Sequence, residues 1–289
     1  MHNCNSTKAP FDSLHSNLHK RTEEEQPADL ELYRQIIGSL MHLAIITRPN
    51  IAFHVSKLSQ FNSDPSIHHY AAAKHVLRYL QGTKDYGLYF TATSSQYSLN
   101  YSRTPPLELL GFSDASYASD PDDRKSMSGY LFFLSNALIS WSAHKQSIVA
   151  LSTMESEYIA LSNAAKEAIF LRKLLSSLMV HPTRPTIINT DSASALDHVK
   201  NNVKHPHTQW SQLNSRNRSI ESSKTIETIV RSLGASDRIR IRKSCRFHDS
   251  TIASNCRGKR GLEQFWRRLG ELLQSHVEWR DRSHAFLNS

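Results

Sequence analysis

Apolar residues change their spacing along this chain. Between residues 30 and 82 they recur every three or four positions. In "LELYRQIIGSLMHLAIIT" (30–47), Tyr33, Ile36, Ile37, Leu40, Met41 and Ala44 share one helical face. Pro49 restarts the chain, since proline suits a first helical turn, and "NIAFHVSKLSQF" (50–61) reads as a second helix. A third, "DPSIHHYAAAKHVLRYLQG" (64–82), has Asp64 as its expected cap, Pro65 at its start and Gly82 at its C-terminal end. From residue 86 the period shortens. "YGLYF" (86–90), "LELLGFSD" (107–114), "SGYLFFL" (128–134) and "ALISWSA" (137–143) read as strands rich in aromatic residues and leucine. The short Ser135-Asn136 link predicts a tight hairpin between the last two. A helix is predicted over 152–179, then a strand "PTIINTD" (185–191), then a helix beginning "SASALDHVKN" (192–201). This order predicts an α/β fold, a mixed sheet with helices packed on it.

The remainder is less patterned. Residues 1–28 are polar, with "RTEEEQP" at 21–27, and read as a linker. After about Thr208 the periodicity fades, although "GLEQFWRRLGELLQSHVEW" (261–279) has the pattern of a short amphipathic helix.

The long helix opens on "LSTMESEYIAL" (151–161), with two glutamates two positions apart. Ser152 and Glu155 make an S-x-x-E capping box, in which Glu155 can reach back to the N–H of the cap. Glu155 therefore has a sufficient structural role. At about 100° per residue, with Met154 at zero, Tyr158, Leu161, Ala165 and Ile169 fall on one side. Glu157 falls between Ala164 and Ala168, in the small and apolar sector, while Glu155 falls beside Ser162 and Lys166. Glu157 is thus the inward carboxylate, and on this helix alone a helix-edge glutamate that snorkels to water stays open as the alternative. A buried carboxylate needs a metal or a partner to stay charged.

Charge qualifies this picture. The net charge of +9 is concentrated at one end: residues 209–289 hold 16 Lys and Arg against 8 Asp and Glu, and residues 1–208 hold 19 against 18. The basic signal belongs to the C-terminal part. Cys4, Cys245 and Cys256 form no disulfide or zinc pattern. His68, His69 and His75, on or near the third helix, are expected on a solvated or nucleic-acid-facing surface rather than at a metal. No apolar run approaches 18 residues and no signal-peptide pattern is seen, which predicts an intracellular protein, cytoplasmic or nuclear, not secreted and not membrane-bound.

Three carboxylates stand at informative places. Asp114 ends the strand "LELLGFSD", Glu157 faces inward from the next helix, and Asp191 ends "TIINTD". Such residues can converge on one point. The cluster would repel itself unless divalent cations neutralised it. Oxygen-only ligation favours Mg²⁺ or Mn²⁺. Two such ions about 4 Å apart clamp an in-line phosphodiester cleavage. Small residues after each Asp, Ala115-Ser116 and Ser192-Ala193, leave room for a backbone to approach.

"LLGFSDASYASDPDDRKSMSGYLFFL", "ISWSAHKQSIVALSTMESEYIAL" and "INTDSASAL" closely resemble the ribonuclease H domain of copia-type long-terminal-repeat retrotransposon polyproteins. "YRQIIGSLMHLAIITRPNIAFHVSKLSQF" and "HHYAAAKHVLRYLQGTKDYGLYF" resemble the segment that joins reverse transcriptase to that domain. The resemblance spans roughly residues 30–207, about six-tenths of the chain. It implies a ribonuclease H-like mixed sheet flanked by helices, preceded by a small helical segment. It implies a thumb- or connection-like segment at 29–92 and a ribonuclease H-like domain at 107–207, flanked by the polar linker at 1–28 and by a basic tail at 208–289 whose loss of pattern reads as disordered or frameshifted. It assigns Asp114, Glu157 and Asp191 as metal-binding catalytic residues for Mg²⁺- or Mn²⁺-dependent hydrolysis of the RNA strand of RNA–DNA hybrids, with no small-molecule cofactor.

Residues around the trio carry their own expectations. Arg124 and Lys125 can touch phosphate, and Lys145 and Gln146 of "HKQS" are plausible contacts to a hybrid backbone. Asp120, Asp122 and Asp123 are expected to build a turn. The family's polymerase palm motif is absent, so no polymerase activity is expected. The family pattern stops near Thr208, and neither Asp237 nor Asp249 has the context of its fourth catalytic Asp. Three readings stay open: a metal-dependent nuclease of this type, weak or inactive in this chain; a degenerate relic that keeps the fold and binds nucleic acid without cutting; or a nonspecific nucleic-acid-binding protein that acts through its basic tail.

Overall fold

The computed structural model describes residues 4–12, 15, 17–88, 90, 108–134, 137–180, 182, 184–201, 239–243 and 266. The elements are α1 (Leu30–Ile46), a 3₁₀ turn (Pro49–Ile51), α2 (Ala52–Ser59), α3 (Ile67–Gly82), β1 (Leu109–Ser116), β2 (Met127–Leu134), β3 (Ala137–Lys145), α4 (Thr153–Ser177), β4 (Thr186–Thr190), α5 (Ala193–Asn201) and β5 (Ile239–Lys243). Asp237, Asp249, Cys245, Cys256 and the helix expected at 261–279, apart from Trp266, lie outside the described residues.

The three N-terminal helices form their own core. Tyr33, Ile37, Leu40 and Ala44 of α1 bury the predicted stripe against Val55 and Leu58 of α2 and Ala72, Ala73 and Val76 of α3. Asp29 caps α1, accepting the Leu32 N–H at 3.0 Å. The start of α3 differs from expectation. Ser66, not Asp64, is its cap, in a reciprocal box with His69, whose Nδ1 accepts the Ser66 N–H at 2.9 Å. Ser66 is still extended, so the helical turn begins too late for Asp64 to reach it. Asp64 instead pairs with Arg21 at 2.8 Å. His69 and His75 are buried and only His68 meets solvent, which corrects the expected histidine surface.

The sheet has the order β3-β2-β1-β4-β5. β1, β2 and β3 pair antiparallel, and β4 and β5 run parallel to β1. The expected hairpin is present, with Leu134 opposite Ala137. Gly111 is required: a Cβ there would lie 2.5 Å from the Phe132 ring. α4 covers one face through Leu161, Ala164, Ala165, Ala168, Leu171 and Leu175, which meet Leu109, Phe132, Ile188 and Ile239. On the other face Phe53 of α2 packs with Met127, Leu131, Leu138 and Trp266. The Trp141 indole N–H donates to the Ala44 carbonyl at 2.8 Å, tying the helical unit to β3. The class is α/β, a five-stranded mixed sheet between helical layers.

Two segments depart from the sequence reading. Residues 86–88 and 90 form no strand. Tyr86 turns toward the Arg48 guanidinium, 5.7 Å from its ring centre, and Leu88 packs against the cluster of Phe53, Met127, Leu131, Leu138 and Trp266 without pairing to a strand. Conversely, a strand forms at 239–243, where no element was expected. Its "IRIRK" alternates: Ile239 is buried and Ile241 half-buried, while Arg240 and Arg242 are exposed. The period of a half-buried strand was masked by its brevity and charge.

Candidate functional site

β1 and β4 are parallel neighbours, with Phe112 opposite Asn189. The same register, carried two residues on, sets Asp114 level with Asp191. Asp114 lies within β1, opposite Gly129 of β2, and is buried. Asp191 is exposed at the β4–α5 junction. The next residue caps α5: the Ser192 hydroxyl accepts the Ala195 N–H at 3.1 Å. Glu157 comes from the second turn of α4, which packs on β1 and β2. One carboxylate oxygen from each of Asp114, Glu157 and Asp191 lies within 4.8 Å of the others.

Helix α4 gives its two glutamates different partners, although by whole residue Glu155 is buried and Glu157 only half-buried, the reverse of the expected order. The Ser152 hydroxyl accepts the Glu155 N–H at 3.2 Å, and Glu155 Oε2 accepts the Leu151 N–H at 2.8 Å. Glu155 thus reaches one residue further back than the cap's own N–H. Glu157 turns to the aspartates instead. Its Oε2 is buried and has no hydrogen-bond partner among the described residues. Burial, then the charges of Asp114 and Asp191, push its carboxyl well above the usual range, and the Ala115 N–H only partly offsets this. The donor set fits a hard divalent cation: it is all oxygen, it repels itself, and it leaves a buried oxygen unsatisfied.

The four expected nucleic-acid contacts divide. Arg124 is exposed, and its positive φ of 58° belongs to the turn that follows Asp120. Lys125 is half-buried, 3.7 Å from Asp123. Lys145 is committed elsewhere: its Nζ donates to Asp120 at 2.6 Å, lies 3.0 Å from Asp123 and reaches Gln60 at 3.1 Å. Burial works against its charge, but the two aspartates outweigh this and raise its pKa. Asp120 builds the expected turn, accepting the N–H groups of Asp122 and Asp123. Gln146 is buried, donating to the Ser128 hydroxyl at 2.8 Å and to the Ser156 carbonyl at 3.0 Å. It pins the first turn of α4 to β2, and so sets the position of Glu157. The sequence alone marks Gln146 for a ligand contact, because its pairing with Ser128 and Ser156 exists only in the folded sheet.

No family model matches the chain. It is 47% identical over 139 residues to the secreted RxLR effector protein 161 of Plasmopara viticola, a match covering 48% of this chain and 90% of that protein. It is 40% identical over 177 residues to the retrovirus-related Pol polyprotein from transposon TNT 1-94 of Nicotiana tabacum, covering 61% of this chain. It is 36% identical over 189 residues to the corresponding polyprotein from transposon RE1 of Arabidopsis thaliana, covering 65% of this chain. The matched segments are 12% of each Pol polyprotein. Among solved structures, the PFV ribonuclease H domain aligns over 61% of this chain and 96% of its own, at 15% identity and a TM-score of 0.34. LC11 ribonuclease H1, solved with an RNA/DNA hybrid, aligns over 47% of this chain and 85% of its own, at 12% identity and a TM-score of 0.32.

Proposed function

We propose that this chain, similar to the retrotransposon Pol polyproteins that it matches, carries a copia-type ribonuclease H domain that slowly hydrolyses the RNA strand of RNA–DNA hybrids. The observation that carries this reading is the convergence of Asp114, Glu157 and Asp191 from β1, α4 and the end of β4. These three residues would hold Mg²⁺ or Mn²⁺. When bound, such ions activate a water and stabilise the leaving oxygen of a phosphodiester. The protein supplies the rest. Asp114 lies on β1 and Asp191 directly follows β4, its parallel neighbour, so the pairing of the two strands brings the two residues level. Glu157 is held over them by the Ser152 cap and the Gln146 bonds. A hybrid would be recognised through its shape and 2′-hydroxyls, and exposed Arg124 is a contact to its phosphates.

A slow rate is proposed because the family pattern ends near Thr208, before its fourth acidic residue. Loss of one group that stabilises developing charge typically costs about 10²–10³ in rate. The same departure favours a second reading, nucleic-acid binding without cleavage. One assay separates them. The purified chain, given a labelled RNA–DNA hybrid in Mg²⁺ or Mn²⁺, should cut the RNA strand slowly, and Asp114→Asn should abolish cutting while retaining binding. Binding with no cleavage in either metal would establish the second reading, and cleavage that survives Asp114→Asn would sink the first.

A further inference from the structure

A second cluster with metal-ligand chemistry lies away from the acidic triad. It joins the N-terminal segment to α3. Asp12, His15 and His75 each place one donor atom within 4.8 Å of the others. Asp12 Oδ1 accepts the His15 backbone N–H at 3.0 Å and lies 2.5 Å from His15 Nδ1. Asp12 Oδ2 lies 3.7 Å from His75 Nδ1. The two imidazole rings are 4.8 Å apart, tilted by 43°. His75 is 5% exposed.

The tautomer of His75 can be derived. Its Nε2 lies 3.1 Å from the Ala9 carbonyl oxygen. A carbonyl only accepts, so Nε2 carries the hydrogen and Nδ1 carries a lone pair. That lone pair and Asp12 Oδ2, both electron-rich, share one small space. Arg78 Nη2, 3.0 Å from Nδ1, is the positive charge now serving it. An imidazole whose outer N–H is fixed by a backbone carbonyl, with its inner lone pair turned to a second imidazole and a carboxylate, has the arrangement of a metal ligand. Packing alone would not need this chemistry, because Phe11 already anchors the segment in the helical core, against His54 at 4.6 Å.

We propose that Asp12, His15 and His75 form a second metal site, for Zn²⁺ or a similar borderline divalent cation, which clamps the N-terminal segment onto α3. Two imidazoles and one carboxylate suit zinc, and Mg²⁺ prefers oxygen alone. Three protein ligands leave one position for water. Arg78, on a long half-buried side chain, gives up Nδ1 when the cation enters. The clamp ties residues 12 and 15 to residue 75, and closing so long a loop is where a cross-link constrains the unfolded chain most.

The test uses the full chain, stripped of metal and then titrated with Zn²⁺ in saturating Mg²⁺. The unmodified chain and Asp114→Asn should both bind Zn²⁺ and melt at a higher temperature in its presence. His15→Ala should lose at least tenfold in Zn²⁺ affinity, together with the gain in melting temperature. Asp12→Asn keeps the side-chain shape and should behave in the same way, so a folding defect in His15→Ala cannot obscure the result. Undiminished Zn²⁺ affinity in both variants would overturn the assignment. So would a chain that binds no Zn²⁺, or Zn²⁺ binding that disappears only in Asp114→Asn.

Discussion

Glu155 and Glu157 show how much two residues of spacing decide. Both are acidic and both lie in the first turns of one helix. One is consumed by the helix end and the other is turned on two aspartates. Replacing each by glutamine should separate the roles. Glu157→Gln should lose Mg²⁺ affinity in calorimetric titration, while Glu155→Gln keeps it and gives up at most about 1 kcal/mol of stability through its cap. The reverse pattern would mean that the wrong glutamate faces the site. A pH effect follows from the raised pKa of Glu157. Such a carboxyl holds its proton more tightly folded than unfolded. The stability it contributes is fully present below its unfolded value, near ~4.3, and is lost as pH rises toward its folded value. In metal-free denaturant titrations the fold should therefore weaken across that window, and Glu157→Gln should flatten the fall. A steeper fall in the variant would contradict burial beside two aspartates as the cause.

At the scale of elements, what was legible in the sequence was local. The S-x-x-E start of α4, the hairpin link between β2 and β3 and the stripe on α1 depend on neighbours within a few residues. What was not legible depends on distant partners. β5 needs the edge of β4, more than forty residues earlier in the chain, before its alternation means anything. Gln146 needs Ser128, and Tyr86 needs Arg48. His75 reads as a surface residue in sequence because Ala9 and Asp12, which surround it, belong to a segment with the composition of a linker. Two substitutions test β5 directly. Ile239→Ala empties a buried position and should cost about 2–4 kcal/mol in denaturant unfolding. Arg240→Ala, on the exposed side, should stay within about 0.5 kcal/mol. Equal and small effects would show that 239–243 does not belong to the sheet.

The whole molecule is built so that the helical unit supports the face of the sheet opposite α4. Phe53 and Trp141 cross the boundary, one by packing and one by hydrogen bonding to Ala44. Phe53→Ala should therefore destabilise the sheet as well as the helices, by about 3–5 kcal/mol, in a single transition seen by both tryptophan fluorescence and far-ultraviolet dichroism. Two separated transitions would show that the units fold independently. Among the described residues, no helix is long and apolar enough to cross a membrane. What this scaffold holds in place is a set of three carboxylates that we propose share divalent cations. Anomalous scattering from crystals soaked in Mn²⁺ would show whether they do. A peak is expected at coordination distance from Asp114, Glu157 and Asp191 together, and it should be absent in Glu157→Gln crystals. A peak at Glu155, or no peak at the triad at saturating Mn²⁺, would contradict a shared cation site.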